Sequence, residues 1–318
     1  MFVLDSHCDT PSELLRSRQL DIDGEGAHVD FPKLKAGKVD GAFFALYIPA
    51  GLNSEDALEH AQRQLQVIQD VISAHPDKAA FAVSYNQALQ NQAKGLFSIF
   101  IGLENGSPLG CSDRSIEILD YFHANGVRYM TLCHSADNEI CDSSASVSGR
   151  WNGLSPFGKG IVARMNDMGI LVDVSHVSDR TFYDVLEVSS RPVAATHSCC
   201  RALADHPRNL TDDMIRALAS QGGVVQINFY PYFLDSSYTE GSERPSYKRI
   251  VDHIDHVVEL VGVDHVGLGS DFDGIEVTPC GMEHVGMYPK IFDEMRNRGY
   301  SVAEIEKVAG LNFFRILG

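Results

Sequence analysis

Positive charge is scarce in this chain: 26 Lys and Arg stand against 43 Asp and Glu over 318 residues, a formal charge of -17. That balance excludes nucleic acid and anionic membrane as partners, since both require a basic surface to offset phosphate repulsion. Long apolar runs are absent too. No stretch approaches the roughly 20 residues that span a bilayer, and no basic segment precedes the first apolar run at Phe2, so the expectation is a soluble, unexported, cytoplasmic protein. The seven cysteines, Cys8, Cys111, Cys133, Cys141, Cys199, Cys200 and Cys280, form no CxxC pair, and an odd, scattered set reads as reduced thiols. Neither GxGxxG nor GxxxxGK[ST] follows an apolar run, and GxSxG is missing, which removes the nucleotide-binding open sheet and the serine-hydrolase elbow.

What is present is a regular alternation. Eight short apolar runs recur: "FVLDSH", "GAFFALYI", "FSIFIGLE", "VRYMTLCH", "ILVDVSH", "PVAATHS", "GGVVQINF" and "HVGLGSD". Their near-continuous hydrophobicity is that of parallel strands covered on both faces. Between them lie segments of helical period with start signals at Ser54, Ser112, Ser178 and Thr211, and a capping-box pattern at Ser301 and Glu304. Eight strand-helix repeats predict a single-domain α/β chain over 1–318, a closed (β/α)8 TIM barrel in preference to an open doubly wound sheet. Segments 138–157 and 230–246 read as long loops on the C-terminal face of such a barrel.

The polar residues fall at one end of these runs. His7 and Asp9, Glu104, His134, His176, His197 and Asp271 all stand where a barrel places its chemistry. Carboxylates crowded there repel one another unless a cation sits among them. Imidazole and carboxylate without thiolate suit zinc, manganese, iron or cobalt at a catalytic site. His7 and Asp9, at strand positions i and i+2, are expected to grip one ion together, and Glu104, His176 and His197 complete a set sufficient for two bridged ions. Such a centre generates hydroxide near neutral pH and polarises a carbonyl, the equipment of hydrolysis. Cys8 is expected to point away from the site, and Cys199 and Cys200 to be buried as small hydrophobes. Asp5, one step deeper than His7, reads as a buried polar group that is not a ligand.

These motifs resemble those of the membrane (renal) dipeptidase family, peptidase family M19, zinc-dependent dipeptidases on an amidohydrolase-like barrel. The resemblance runs through "DSHCDTP", "GVRYMTLCH", "GLSPFGKGIVARMNDMGILVDVSHVS", "THSCCRAL", "HPRNLTDD", "INFYPYF" and "GLGSDFDG". It implies two zinc ions per chain, one on His7 and Asp9, one on His176 and His197, bridged by Glu104, with Mn2+ or Co2+ as fitting alternatives. It implies that His134 contacts the scissile carbonyl, that Arg208 binds the substrate's terminal carboxylate and that Asp271 is the acid/base group. By the same resemblance the substrate is a dipeptide, with tolerance of a D-residue at its C-terminal position, and the oligomeric state a homodimer. The sequence departs from the family at Asn105, where glycine is usual, and at Cys133, where threonine is common; Tyr232 is the match for a substrate-contacting tyrosine. Two other readings stand beside this one. The first is a deaminase or cyclic amidase on the same barrel, which usually begins HxH where this chain has HxD; the second is a metal-binding regulatory protein without catalysis.

Overall fold

The computed structural model describes residues 1–317. Nine strands form: β1 (Leu4–Cys8), β2 (Gly41–Tyr47), β3 (Ala79–Phe81), β4 (Phe97–Glu104), β5 (Val127–Thr131), β6 (Leu171–Asp173), β7 (Ala194–Ser198), β8 (Val224–Ile227) and β9 (Val266–Leu268). All pairings are parallel, in the order β1-β2-β4-β5-β6-β7-β8-β9. The eight expected runs are thus the eight barrel strands. The ninth, β3, was not expected; its three residues pair with Phe97–Ile99 at the start of β4, below the point where β5 takes over at Ile101. The ring is nearly closed by a seam in which β1 meets the segment after β9. Asp9 N donates to Phe272 O (2.9 Å), Asp271 N to His7 O (3.0 Å) and Ser6 Oγ to Leu268 O (3.0 Å).

Apolar packing divides into two bodies. The larger lies between strands and surrounding helices. The smaller fills the barrel floor, where Phe43 packs against Phe100, Tyr129 and Phe313 at centroid distances of 4.9, 5.1 and 5.3 Å. Above this aromatic layer the interior turns polar, so the sequence's mixture of apolar and ionisable inward residues is a gradient along the barrel axis.

Three helix starts form as expected: Ser178, Thr211 and Ser301 cap their helices, the last with Glu304 in a complete capping box. Two differ. Asn53, not Ser54, caps the helix Ser54–Ala74, its carboxamide oxygen accepting from Glu55 N and Asp56 N; either residue type serves this role, and the local order alone cannot choose between neighbours. Ser112 lies outside the helix Ser115–Ala124 in a preceding turn, where its hydroxyl accepts from Arg114 N. The two long loops follow β5 and β8, on the C-terminal side, the second interrupted by a short helix at Pro231–Leu234. Among the described residues no helix is long and apolar enough to cross a membrane.

Candidate active site

The seven rim residues of the sequence converge above the aromatic floor, but most leave the strands to do so. Only His7, Glu104 and His197 lie within strands. Asp9 is one residue past β1, at φ -93° and ψ 22°, in the N-terminal flanking position of the helix Thr10–Leu15, where its side chain makes no capping hydrogen bond. The expectation that His7 and Asp9 share a strand face is therefore corrected, although both side chains reach one site. His134, His176 and Asp271 lie three residues past their strands, and His176 and Asp271 are held at φ 69° and 63°. Positive φ is costly for these residue types and persists only where neighbours impose it. For Asp271 the neighbours are the seam bond from its own N–H to His7 O and the bond from Gly274 N to its carbonyl (3.1 Å).

Glu104 is central. Its Oε2 lies 3.4 Å from His7 Nε2, while Oε1 lies 3.1 Å from His176 Nε2, 3.5 Å from His197 Nε2 and 4.0 Å from His134 Nε2. Asp9 Oδ2 and Asp271 Oδ1 stand 3.7 and 3.9 Å from His7 Nε2. The donor atoms fall into three overlapping groups: His7, Glu104 and His197; Glu104, His134 and His176; His7, Asp9 and Asp271.

The electrostatics of this cluster are unbalanced without a cation. Burial first, and then Glu104, push Asp9 up to about 6. Burial works to lower His7, yet the Glu104 and Asp9 carboxylates outweigh it and raise it well above its ordinary value. His176 and His197, lowered by burial and by Arg208, bring their Nε2 atoms within 2.8 Å of each other. His7 Nε2, Asp9 Oδ1 and Glu104 Oε2 are buried without a hydrogen-bond partner. Unpaired buried polar atoms are costly, and nitrogen and carboxylate oxygen are the donor types divalent ions take, so these residues fit a metal.

The second layer fixes ring orientation. Thr196 Oγ1 donates to Asp173 Oδ2 (2.7 Å) and so receives the proton of His197 Nδ1 (2.9 Å), leaving the Nε2 lone pair aimed into the site. Asp173 is itself held by Thr131 Oγ1 and by the N–H groups of Ser175 and Thr196. Tyr129 contributes its ring to the floor and its hydroxyl to His7 Nδ1 (2.8 Å). Asp5 accepts from the Ser270 N–H (2.9 Å) and hydroxyl and from His7 N (3.2 Å); it fastens the seam and does not face the metal groups.

A family model described as membrane dipeptidase (peptidase family M19) matches residues 1–318. The chain belongs to this family. It is a metal-dependent dipeptidase of the M19 type. Dipeptidase tcpJ of Claviceps purpurea is 35% identical over 298 residues, covering 91% of this chain and 68% of that protein. Dipeptidase aclJ of Aspergillus oryzae is 35% identical over 315 residues, 96% and 73%. Among solved structures, a metallo peptidase from Rhodobacter sphaeroides, liganded with a phosphinate mimic of the dipeptide L-Ala-D-Ala, superposes with a TM-score of 0.90 at 26% identity, covering 100% of this chain and 98% of that one. The probable dipeptidase PvdM from Pseudomonas aeruginosa superposes with a TM-score of 0.92 at 26% identity, 100% and 95%.

The departures of this M19 dipeptidase from its family have physical accounts. Asn105, at φ 83°, occupies the left-handed region that favours glycine and that asparagine also enters. Its side chain donates to Ile48 O (3.1 Å) and accepts from Ser107 N and Oγ and from Asn138 Nδ2, tying the β2, β4 and β5 loops beside Glu104. Cys133 is buried, its thiol facing the carbonyls of Asp142 and His176 at 3.8 Å. Cys8, Cys199 and Cys200 are buried and free, as expected, with Cys8 turned out of the site toward Phe43 O. Tyr232 packs between Tyr230 and Tyr238 (5.1 and 4.8 Å) and is absent from the cavity lining.

The cavity over the site has a volume of about 800 Å3. Sequence reasoning missed several of the groups that shape it. Tyr47, at the end of β2, stands edge-on to His134 at 5.0 Å. Asn228 Nδ2 donates to Asp271 Oδ2 (2.9 Å). At Gly274 a Cβ would fall 2.0 Å from Asp9 Oδ2 and 2.8 Å from Asp271 Oδ1. Gly274→Ala is therefore expected to displace both carboxylates and to weaken metal affinity about 10–100-fold, the scale of lost ligand support; isothermal titration of the metal-free variant checks it, and unchanged affinity would refute the clash.

Proposed function

We propose that this enzyme hydrolyses dipeptides bearing a free C-terminal carboxylate with two divalent ions, zinc by preference. His7 and Asp9 would hold one ion, His176 and His197 the other, with Glu104 shared. The observation that carries the reading is the division of the Glu104 carboxylate, one oxygen toward His7 and the other toward His176 and His197. Bound divalent ions lower the pKa of water and polarise a carbonyl. The chain's own groups do the rest. His134, pushed down to about 4 by burial and by Arg208, is neutral at pH 7. Its Nδ1 lies 3.1 Å from the Ser135 hydroxyl, an arrangement that lets Nε2 carry a proton toward the developing oxyanion. Burial holds Asp271 above the usual carboxylate range, which suits a group that takes a proton and passes it to the leaving amine.

Arg208 would bind the terminal carboxylate. It is buried, stacked on Phe233 (5.4 Å) and hydrogen-bonded to His197 O (3.1 Å), with its Nε unpartnered. Tolerance of a D-residue at the C-terminal position draws support from the phosphinate mimic held by the Rhodobacter sphaeroides relative. Arg208→Ala is expected to weaken transition-state binding of free-carboxylate dipeptides, read from kcat/KM, by about 2–5 kcal/mol. The control is the parent enzyme on amidated dipeptides, where equal activity on both substrates would remove Arg208 from this role.

A further inference from the structure

We propose that the β2 side of the cavity selects an acidic side chain on the substrate's N-terminal residue, with Arg63 and Arg16 as the specificity-determining groups. This rests on the dipeptidase reading with Arg208 as carboxylate anchor. In the ring β1-β2-β4-β5-β6-β7-β8-β9, β2 is second and β7 sixth, so they face each other across the mouth. Arg208 is bonded to the end of β7 through His197 O and the Ser198 hydroxyl. A dipeptide anchored there, with its scissile carbonyl over the Glu104 cluster, extends its N-terminal residue toward β2.

The wall it meets is basic, against the grain of a chain with charge -17. Tyr47 and Pro49 from the end of β2, His60 and Arg63 from one face of the helix Ser54–Ala74, and Arg16 and Arg18 from beyond β1 line it. Its ion pairs join Glu13 to Arg16 (2.6 Å) and Arg18 (2.8 Å), and Asp273 to Arg18 (2.5 Å). Three guanidiniums thus face two carboxylates, and Arg63 is left without an acidic partner among the described residues. Glu276, the other acidic group of the outer rim, turns to the Tyr230 hydroxyl on the β8 side (3.4 Å). Burial and Arg63 both keep His60 below its ordinary pKa, so it stands there as a neutral donor or acceptor. A guanidinium free of carboxylates and facing a cavity pairs with a planar, bidentate acceptor, the carboxylate of a Glu or Asp side chain.

The test compares kcat/KM of the zinc-loaded enzyme on Glu-Ala, Gln-Ala, Lys-Ala and Ala-Ala. Arg63 and Arg16 are exposed at the cavity mouth, so the expected order places Glu-Ala about two- to fivefold above its isostere Gln-Ala, the scale of one exposed charge pair, with the preference shrinking as salt rises. Arg63→Gln should bring the Glu-Ala to Gln-Ala ratio close to one, Arg63→Glu should tip the preference toward Lys-Ala, and Arg16→Gln should lower the ratio in part. Hydrolysis of Ala-Ala with a ratio near one in the parent enzyme overturns this inference and leaves the dipeptidase reading standing. So does an Arg63→Gln enzyme that loses activity on all four substrates alike, since Arg63 would then hold the backbone carboxylate. Failure to hydrolyse any of the four overturns the dipeptidase reading, and the inference with it.

Discussion

Asp271→Asn is expected to lower kcat on a neutral dipeptide by about 10²–10⁴-fold, the contribution of a positioned acid/base group, while metal content stays that of the parent. The substitution is a narrow one. Asparagine tolerates the left-handed backbone that Asp271 adopts at φ 63°. Its amide oxygen can accept from Asn228 Nδ2 where Asp271 Oδ2 does, and the backbone bonds to His7 O and Gly274 N do not involve the side chain. Only the capacity to take up a proton is removed. Single-turnover rates and metal analysis on the same preparation check this. Undiminished turnover would take Asp271 out of proton transfer, and loss of metal together with activity would make it a ligand.

Chelation is expected to abolish hydrolysis and to destabilise the fold by about 4 kcal/mol for each ion removed, relative to protein holding metal at a thousandfold excess over its Kd. The metal-free protein should also acquire a pH dependence that the loaded protein lacks. Asp9 is raised by burial and Glu104 to about 6, above its value of 3.8 in an unfolded chain. The protonated form is thus favoured by folding, and this contribution is complete below about pH 4 and lost as pH rises through 6. At about 1.4 kcal/mol per unit it amounts to about 3 kcal/mol. His7, raised as well, adds to the same trend at higher pH. Thermal melts from pH 4 to 8 with and without zinc read the difference, and metal returned to the chelated protein should saturate at two ions per chain. Parallel melting curves would mean that no ion compensates these charges.

The barrel was legible because each strand is an apolar run of its own, and the rim because its ionisable residues stand at or just past the ends of those runs. The remainder was hidden for reasons of range. β3 has three residues, too few for a period to register. Asp9 follows its strand by one residue, and the helix start written in "DTP", an N-cap residue type with proline in the first turn, was masked because the run reads as strand to its end. Tyr129 looks like one more aromatic in a buried strand, and its bond to His7 spans 122 positions. Asn228 is separated from Asp271 by 43 positions, and Gly274 matters only for what would touch a carbon it lacks. Asp173, an acid in the apolar run "ILVDVSH", was a second signal open to a closer reading.

The seam that joins β1 to the segment after β9 also sets an order of events in folding. Ser270 meets Asp5 across 265 positions, and a contact of that separation carries a larger loop-closure cost than the pairings of neighbouring strands, so the seam is expected to close late. His7 and Asp9 stand on one lip of that seam and Asp271 on the other. On the roles proposed above, an assembling chain therefore lacks its acid/base group until residue 271 is in place and the ring has shut. The proposed metal ligands all lie on the β1 to β7 side and need no closed seam, so a half-made or nicked barrel is expected to be able to hold metal and yet to be an idle peptidase.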